Sequence, residues 1–184
     1  MPNFRHRLPR SQQREYDRSN TVSAIPLRVS PRLARATVLL SEALTEGRPP
    51  AVERLAQAIA DEICAALRTP ALRVQVRGTR PSNSRGELHG LYSPGRQQDR
   101  IEVWMITAKR GQVVAFKTFV RTLLHEICHH LDYELLHLGV SLHTDGFFKR
   151  ESSLFAQIRG ALGPVGATAP DVRAAGTQVR APAA

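Results

Sequence analysis

A pair of histidines four residues apart, set in a long apolar run, constrains this chain more than any other feature. Between Thr122 and Phe148 the sequence reads TLLHEICHHLDYELLHLGVSLHTDGFF, and within it His125, Glu126 and His129 form H-E-x-x-H. On an α-helix, residues four apart lie about 40° apart around the axis and one turn apart along it, so both imidazoles reach one ion. Glu126 projects beside them, close enough to act on water at that ion. In zinc hydrolases this pattern supplies two metal ligands and a general base. Such a site takes a third protein ligand and leaves a fourth position for water or substrate. His143 is the best donor: Gly139 is placed to end the helix at a left-handed C′ position, after which the chain turns back and delivers His143 just before a second amphipathic run.

The whole string is H-E-x-x-H, thirteen residues, then His143 with an aromatic four positions on at Phe147. It resembles the SprT-like family of zinc metallopeptidases, relatives of the Spartan proteases that act on protein crosslinked to DNA. The likeness runs over residues 33 to 160. Upstream, Leu88-His89-Gly90-Leu91-Tyr92 and Arg100-Ile101-Glu102-Val103 look like the two strands that precede the family's metal helix. The resemblance implies an α+β, zincin-like core over residues 31 to 162, with a small three-stranded sheet packed against a long metal-binding helix and flanking helices. It also implies Zn2+ held by His125, His129 and His143, Glu126 as catalytic base, and a protein or peptide substrate. Two departures stand out. Many members carry a Cys-based zinc ribbon, whereas this chain has only Cys64 and Cys128 and no C-x-x-C; and Thr144 follows the third histidine where the family often has Gly, with Gly146 two positions on.

Charge matters for partners, because the formal net charge of +10 is unevenly spread. Residues 1 to 35 carry eight Arg against Glu15 and Asp17, residues 159 to 184 three Arg against Asp171, and the stretch between is nearly balanced. Residues 1 to 30 have little apolar periodicity and read as a disordered basic arm. Such an arm contacts nucleic-acid phosphates without reading sequence, or simply stays solvated. The alternative function is therefore a DNA-associated zinc-binding protein without peptidase activity. Two cysteines make no disulfide framework, and neither a signal-like apolar segment nor an apolar run of about 18 residues is present, so the expectation is a cytoplasmic protein with no membrane partner.

The rest of the chain follows from periodicity. Ser30 caps and Pro31 opens a helix carrying Leu33, Leu40 and Leu44, and a second helix from Pro50 to Leu67 places Val52, Ala56, Ile59 and Ile63 on one face. Leu72, Val74 and Val76 alternate as a strand, and residues 78 to 86 read as an exposed loop. Glu87 to Tyr92 and Arg100 to Thr107 form an antiparallel hairpin around Pro94-Gly95. The metal helix starts near residues 113 to 116 and runs to Leu138, a last helix ends near Gly160, and residues 163 to 184 form a flexible tail. Of the remaining ionisable groups, Asp132 lies on the metal side as an acceptor for a ligand imidazole, or as a plain surface carboxylate. Glu134 and Glu151 rank as substitute ligands behind His143. His130 and His137 point away from the pair, Cys64 and Cys128 read as core thiols, and Tyr92 and Tyr133 stand among the available transition-state partners.

Overall fold

The computed structural model describes residues 4–84 and 86–162. A 3-10 turn at Phe4–Arg7 leads into α1 (Arg10–Thr21), α2 (Pro31–Thr45) and α3 (Pro49–Leu67). Five strands follow: β1 (Arg73–Thr79), β2 (Ser82–Asn83), β3 (Gly86–Glu87), β4 (Gly90–Ser93) and β5 (Arg100–Ile106). The chain then forms α4 (Phe116–Glu134) and α5 (Asp145–Ala161), giving an α+β architecture. The predicted tail at 163 to 184 lies outside the described residues. Among the described residues, no helix is long and apolar enough to cross a membrane.

The sheet is centred on β5. Its alternation puts Ile101, Val103 and Met105 on a buried face, each at most 1% exposed, while Glu102, Trp104 and Ile106 remain half-buried. Strand β1 pairs with β5 in parallel, Val74 opposite Ile101 and Val76 opposite Val103. Strand β4 pairs with it antiparallel, Gly90 opposite Val103 and Tyr92 opposite Ile101, which is the expected hairpin. The loop predicted at 78 to 86 is more ordered than expected, since β1 runs to Thr79 and β2 and β3 form a short antiparallel ribbon. The outer edge of β1 is not left open: Gln57 on α3 accepts from Val74 N and donates to Leu72 O, and Glu53 accepts from Val76 N. Side chains of a flanking helix thereby satisfy an edge that would otherwise invite further strands.

Helices α2 and α3 form where the apolar spacing placed them. Ser30 caps α2 by accepting from Leu33 N at 3.0 Å, with Pro31 in the first turn. Leu33 and Leu40 of α2 pack with Val52, Ala56, Ile59 and Ile63 of α3, all at most 1% exposed. Phe119, Leu123, Leu124, Ile127 and Leu131 of α4 enter the same core, so α4 is fixed by α5 and the sheet, with a smaller contact to α2, rather than by its own propensity.

Two expectations are corrected. Of the disordered arm expected at residues 1 to 30, the described residues 4 to 30 are ordered: Arg10–Thr21 is helical and docks on α5. Hydrophobic periodicity misses it because Ser19 is its only buried residue. Its attachment is polar. Arg150 of α5, fully buried, donates to Ser19 O and Val22 O at 2.7 Å each and to Ser19 Oγ at 3.0 Å, and pairs with Asp132 of α4 at 2.7 Å. Gly146 lets the helices meet, because a Cβ there would stand 2.2 Å from Ser19 O. Beyond α1, the segment that reaches α2 buries Ile25 and Leu27 and is held by both ends of the Gln157 amide.

The second correction concerns the end of α4, which stops at Glu134, four residues before the predicted end. The left-handed residue is His137, φ 51°, not Gly139. Arg18 of α1 donates to the carbonyls of Leu136 and His137, and Glu15 accepts from Gly139 N. A helix terminus needs partners for its last carbonyls: Leu135 N and Leu136 N donate to Leu131 O and Leu138 N donates to Asp132 O, while α1 binds the turn that follows.

The buried Arg150–Asp132 pair predicts a test. Arg150→Ala leaves Asp132 without its cation and α1 without its anchor, so urea unfolding should lose about 3–5 kcal/mol. A loss under about 1 kcal/mol would show that α1 does not depend on this residue.

Candidate metal centre

Helix α4 presents His125 and His129 one turn apart, and the loop before α5 brings His143 onto them. The Nε2 atom of His143 lies 2.9 Å from that of His125 and 3.1 Å from that of His129. These three residues are close enough to hold one metal ion. For comparison, ligands about 2.0–2.1 Å from a tetrahedral ion sit roughly 3.3 Å from one another.

The outer ring nitrogens decide what the inner ones offer. His125 Nδ1 lies 3.2 Å from Glu151 Oε2, and a carboxylate oxygen accepts, so Nδ1 carries the proton. Ser141 donates its hydroxyl proton to Asp132 Oδ2 at 2.7 Å and so accepts from His129 Nδ1, also at 2.7 Å. Neutral rings protonated at Nδ1 present bare lone pairs at Nε2. His143 has at most one proton to place between them, so at least one of its contacts sets lone pair against lone pair. Protonation does not relieve this: burial, then the neighbouring His125 and His143, push His129 down to about 3, and burial followed by His125 lowers His143. Converging nitrogen donors, with His129 and His143 disfavouring protons, are suited to a metal cation.

Aromatic rings fix the arrangement. Phe147, fully buried in the first turn of α5, has its ring centroid 4.9, 4.7 and 5.1 Å from those of His125, His129 and His143. Phe148 stacks on His143 at 5.8 Å while remaining 39% exposed, and Tyr92 stacks on His129 at 6.2 Å. Thr144 accounts for the departure noted after the third histidine. Its hydroxyl caps α5 by accepting from Phe147 N and lies 2.8 Å from Ser19 Oγ, which ties the cap to α1.

Glu126 is buried on the same turn. Burial raises its carboxyl to about 7, against the lowering pull of His125 and the Tyr92 backbone N–H. Strand β4 presses on it, because a Cβ on Gly90 would stand 2.5 Å from Glu126 Oε1 and 2.8 Å from Thr122 Cγ2. Only glycine lets the strand approach the carboxylate this closely.

The remaining sequence candidates separate clearly. Asp132 does face the metal side, but it reaches His129 through Ser141, a residue that sequence spacing gave no reason to select. Glu151 orients His125 and pairs with Arg121 at 2.9 Å instead of acting as a substitute ligand, and neither it nor Glu134 belongs to the three-residue group. His130 is buried with both nitrogens engaged, Nδ1 on Asp99 at 2.8 Å and Nε2 on Pro70 O at 2.9 Å. His137 is exposed at the turn. The Tyr92 hydroxyl is committed to Asp99 at 2.5 Å, and Tyr133 Oη accepts from Ser141 N at 3.3 Å. Cys64 and Cys128 are buried, and burial pushes the Cys128 thiol up, away from a reactive thiolate. No protein-family model matches this chain, and no curated protein or solved structure matches it either.

Two predictions follow the hydrogen bonds outward from the rings. Ser141→Ala breaks the link from Asp132 to His129 and should weaken divalent-metal affinity about 10- to 100-fold in a competition titration with a chromophoric chelator; unchanged affinity would dismiss the link. Burial lowers the His130 pKa, but hydrogen bonds to Cys64, Asp99 and the Pro70 carbonyl outweigh it and raise the ring to about 9. A raised folded pKa stabilises fully below the unfolded value near 6.5, and the contribution disappears as pH rises through about 9. The stability gap between wild type and His130→Asn should therefore be widest near pH 6 and narrow toward pH 10, and a gap that widens with pH would contradict a charged His130.

Proposed function

We propose that the chain is a zinc-dependent metallopeptidase of the SprT-like, zincin-like kind, hydrolysing peptide bonds with Glu126 as general base. The observation that carries this reading is the convergence of three imidazole nitrogens on one point beside a buried carboxylate with a raised pKa. A structural zinc site normally closes on four protein ligands. Here three nitrogens converge, and the nearest carboxylate on the helix is held against β4 rather than grouped with them.

His125, His129 and His143 would hold the ion through Nε2. Zinc bound there supplies Lewis acidity for the peptide carbonyl and for water. Glu126 takes the proton from the attacking water and passes it to the leaving amine, a task that favours a carboxylate poised near neutrality. Gly90 and the Tyr92 N–H keep that carboxylate in one place. Glu151 and the Asp132–Ser141 pair hold two ligand rings in the required tautomer, and Phe147 closes the site from beneath. Arginines of the N-terminal segment are partly paired within the chain: Arg5 of the 3-10 turn with Asp17 at 2.6 Å and Arg18 with Glu15 at 3.0 Å. No observation favours the alternative of a basic arm acting on DNA.

The deciding experiment compares zinc content and cleavage of denatured casein across variants. Glu126→Gln should keep one zinc per chain and lose at least about a hundredfold in rate, whereas His125→Ala should lose both. Gly90→Ala, which displaces the base, should keep zinc and lose rate. Wild-type hydrolysis by Glu126→Gln would overturn the assignment of the base and with it the proposed mechanism.

A further inference from the structure

Resting on the peptidase reading, we infer that the cleft between α4 and α5 beside the metal centre is a subsite for an acidic segment of the substrate. The cleft holds about 500 Å³ and is lined by Lys117, Arg121, Ser152, Phe155, Arg159 and Gly160, among others, with no carboxylate in its wall. Lys117, Arg121 and His125 stand at i, i+4 and i+8 on one stripe of α4. The cleft therefore opens from the ligand helix itself, one turn from the metal centre.

The three cations are differently placed. Arg121 is pinned, with Nη1 on Glu151 Oε1 at 2.9 Å and its guanidinium 4.7 Å over the Phe155 ring, yet its side chain is 40% exposed. Lys117 and Arg159 are exposed, and no carboxylate of the described residues pairs with either. Glu151 compensates Arg121 with one oxygen and meets His125 with the other. Lys117 and Arg159 are left to focus a field across the concavity that draws an anion in.

Distance sets the register. Lys117 precedes His125 by eight residues, about 12 Å of helix, and an extended peptide covers about 3.3–3.6 Å per residue. Carboxylates three or four residues from the scissile bond would meet the cleft. A peptide suits it better than a nucleic acid. Single-strand sites offer aromatic faces on which bases stack, whereas the one ring here, Phe155, is only 9% exposed and already carries Arg121.

Fluorescence anisotropy on the full-length, zinc-loaded Glu126→Gln chain tests this with two labelled twelve-residue peptides, one bearing a Glu pair three and four positions from the centre and one bearing Gln there. The Glu peptide should bind about fivefold tighter, the order expected of exposed ion pairs, and the preference should shrink with salt. Adding Lys117→Gln and Arg159→Gln, both exposed and both good helix formers, should abolish the preference; Arg121 is left in place because it holds Glu151. Equal binding of the two peptides, or a preference that survives the double substitution, overturns the proposal. So does an oligonucleotide of equal charge that binds more tightly and is lost with the same two substitutions, which would make the cleft a nucleic-acid site. Cleavage of the Gln peptide by the wild-type chain reads the peptidase assignment separately: without it, a cleft-dependent preference still establishes the ligand class while the chemistry assigned to Glu126 falls.

Discussion

Arg150 ties together parts of the chain that sequence separates by more than a hundred residues. Its guanidinium is fully buried between α1, α4 and α5, hydrogen-bonded to two carbonyls and a hydroxyl at the end of α1 and paired with Asp132 on the ligand helix. Burying a charge in this way is costly unless it is matched, and although Nε stays without a partner, most of the contacts that Nη1 and Nη2 make come from α1 and the residue that follows it. The other oxygen of Asp132 reaches Ser141 and through it His129. One end of the three-histidine cluster therefore leans on the same ion pair that fastens the N-terminal helix, and the same helix holds the turn after α4 through Arg18 and Glu15.

In the three-histidine cluster His129 resists protonation, and Glu126 beside it resists ionisation. Both effects have one origin, burial. Burial disfavours the imidazolium form of His129 and the carboxylate form of Glu126 alike. The first leaves nitrogen lone pairs for a cation, and the second leaves a carboxyl group able to exchange protons near neutral pH. Neither needs a separate device, because α4 places His125, Glu126 and His129 within one turn while β4 closes over Glu126 at Gly90.

Much of this was legible in the residues, and the boundary of legibility is physical. Apolar periodicity located α2, α3, α4 and α5 and the alternating face of β5, because each of these elements is stabilised mainly by burying one side. Helix α1 has no such side and is held by polar contacts to distant residues, so a reading based on periodicity assigned it to disorder. The premature end of α4 was missed for a related reason: Gly139 is the obvious residue for a left-handed turn, but His137 adopts it, in a turn closed by Leu138 N on Asp132 O and contacted by Arg18 of α1. Within the site, Asp132 was placed on the correct face, yet its action through Ser141 depends on a loop conformation that no spacing rule encodes. Glu151 was weighed as a ligand because carboxylates bind metals; only its position opposite Nδ1 of His125 made it an acceptor.

The sequence by itself determined that His125, Glu126 and His129 share a helical face, since four residues make one turn whatever surrounds them, and that a buried strand and two apolar helices would form beside them. The downstream string also pointed to His143, which the fold brings into the group; tertiary structure alone decided that β4 presses on Glu126 and that a basic N-terminal segment becomes a brace. Those outcomes depend on where a loop is pinned and which buried charge must be matched, and such interactions act between residues far apart in the chain, where local pattern carries no information about distance.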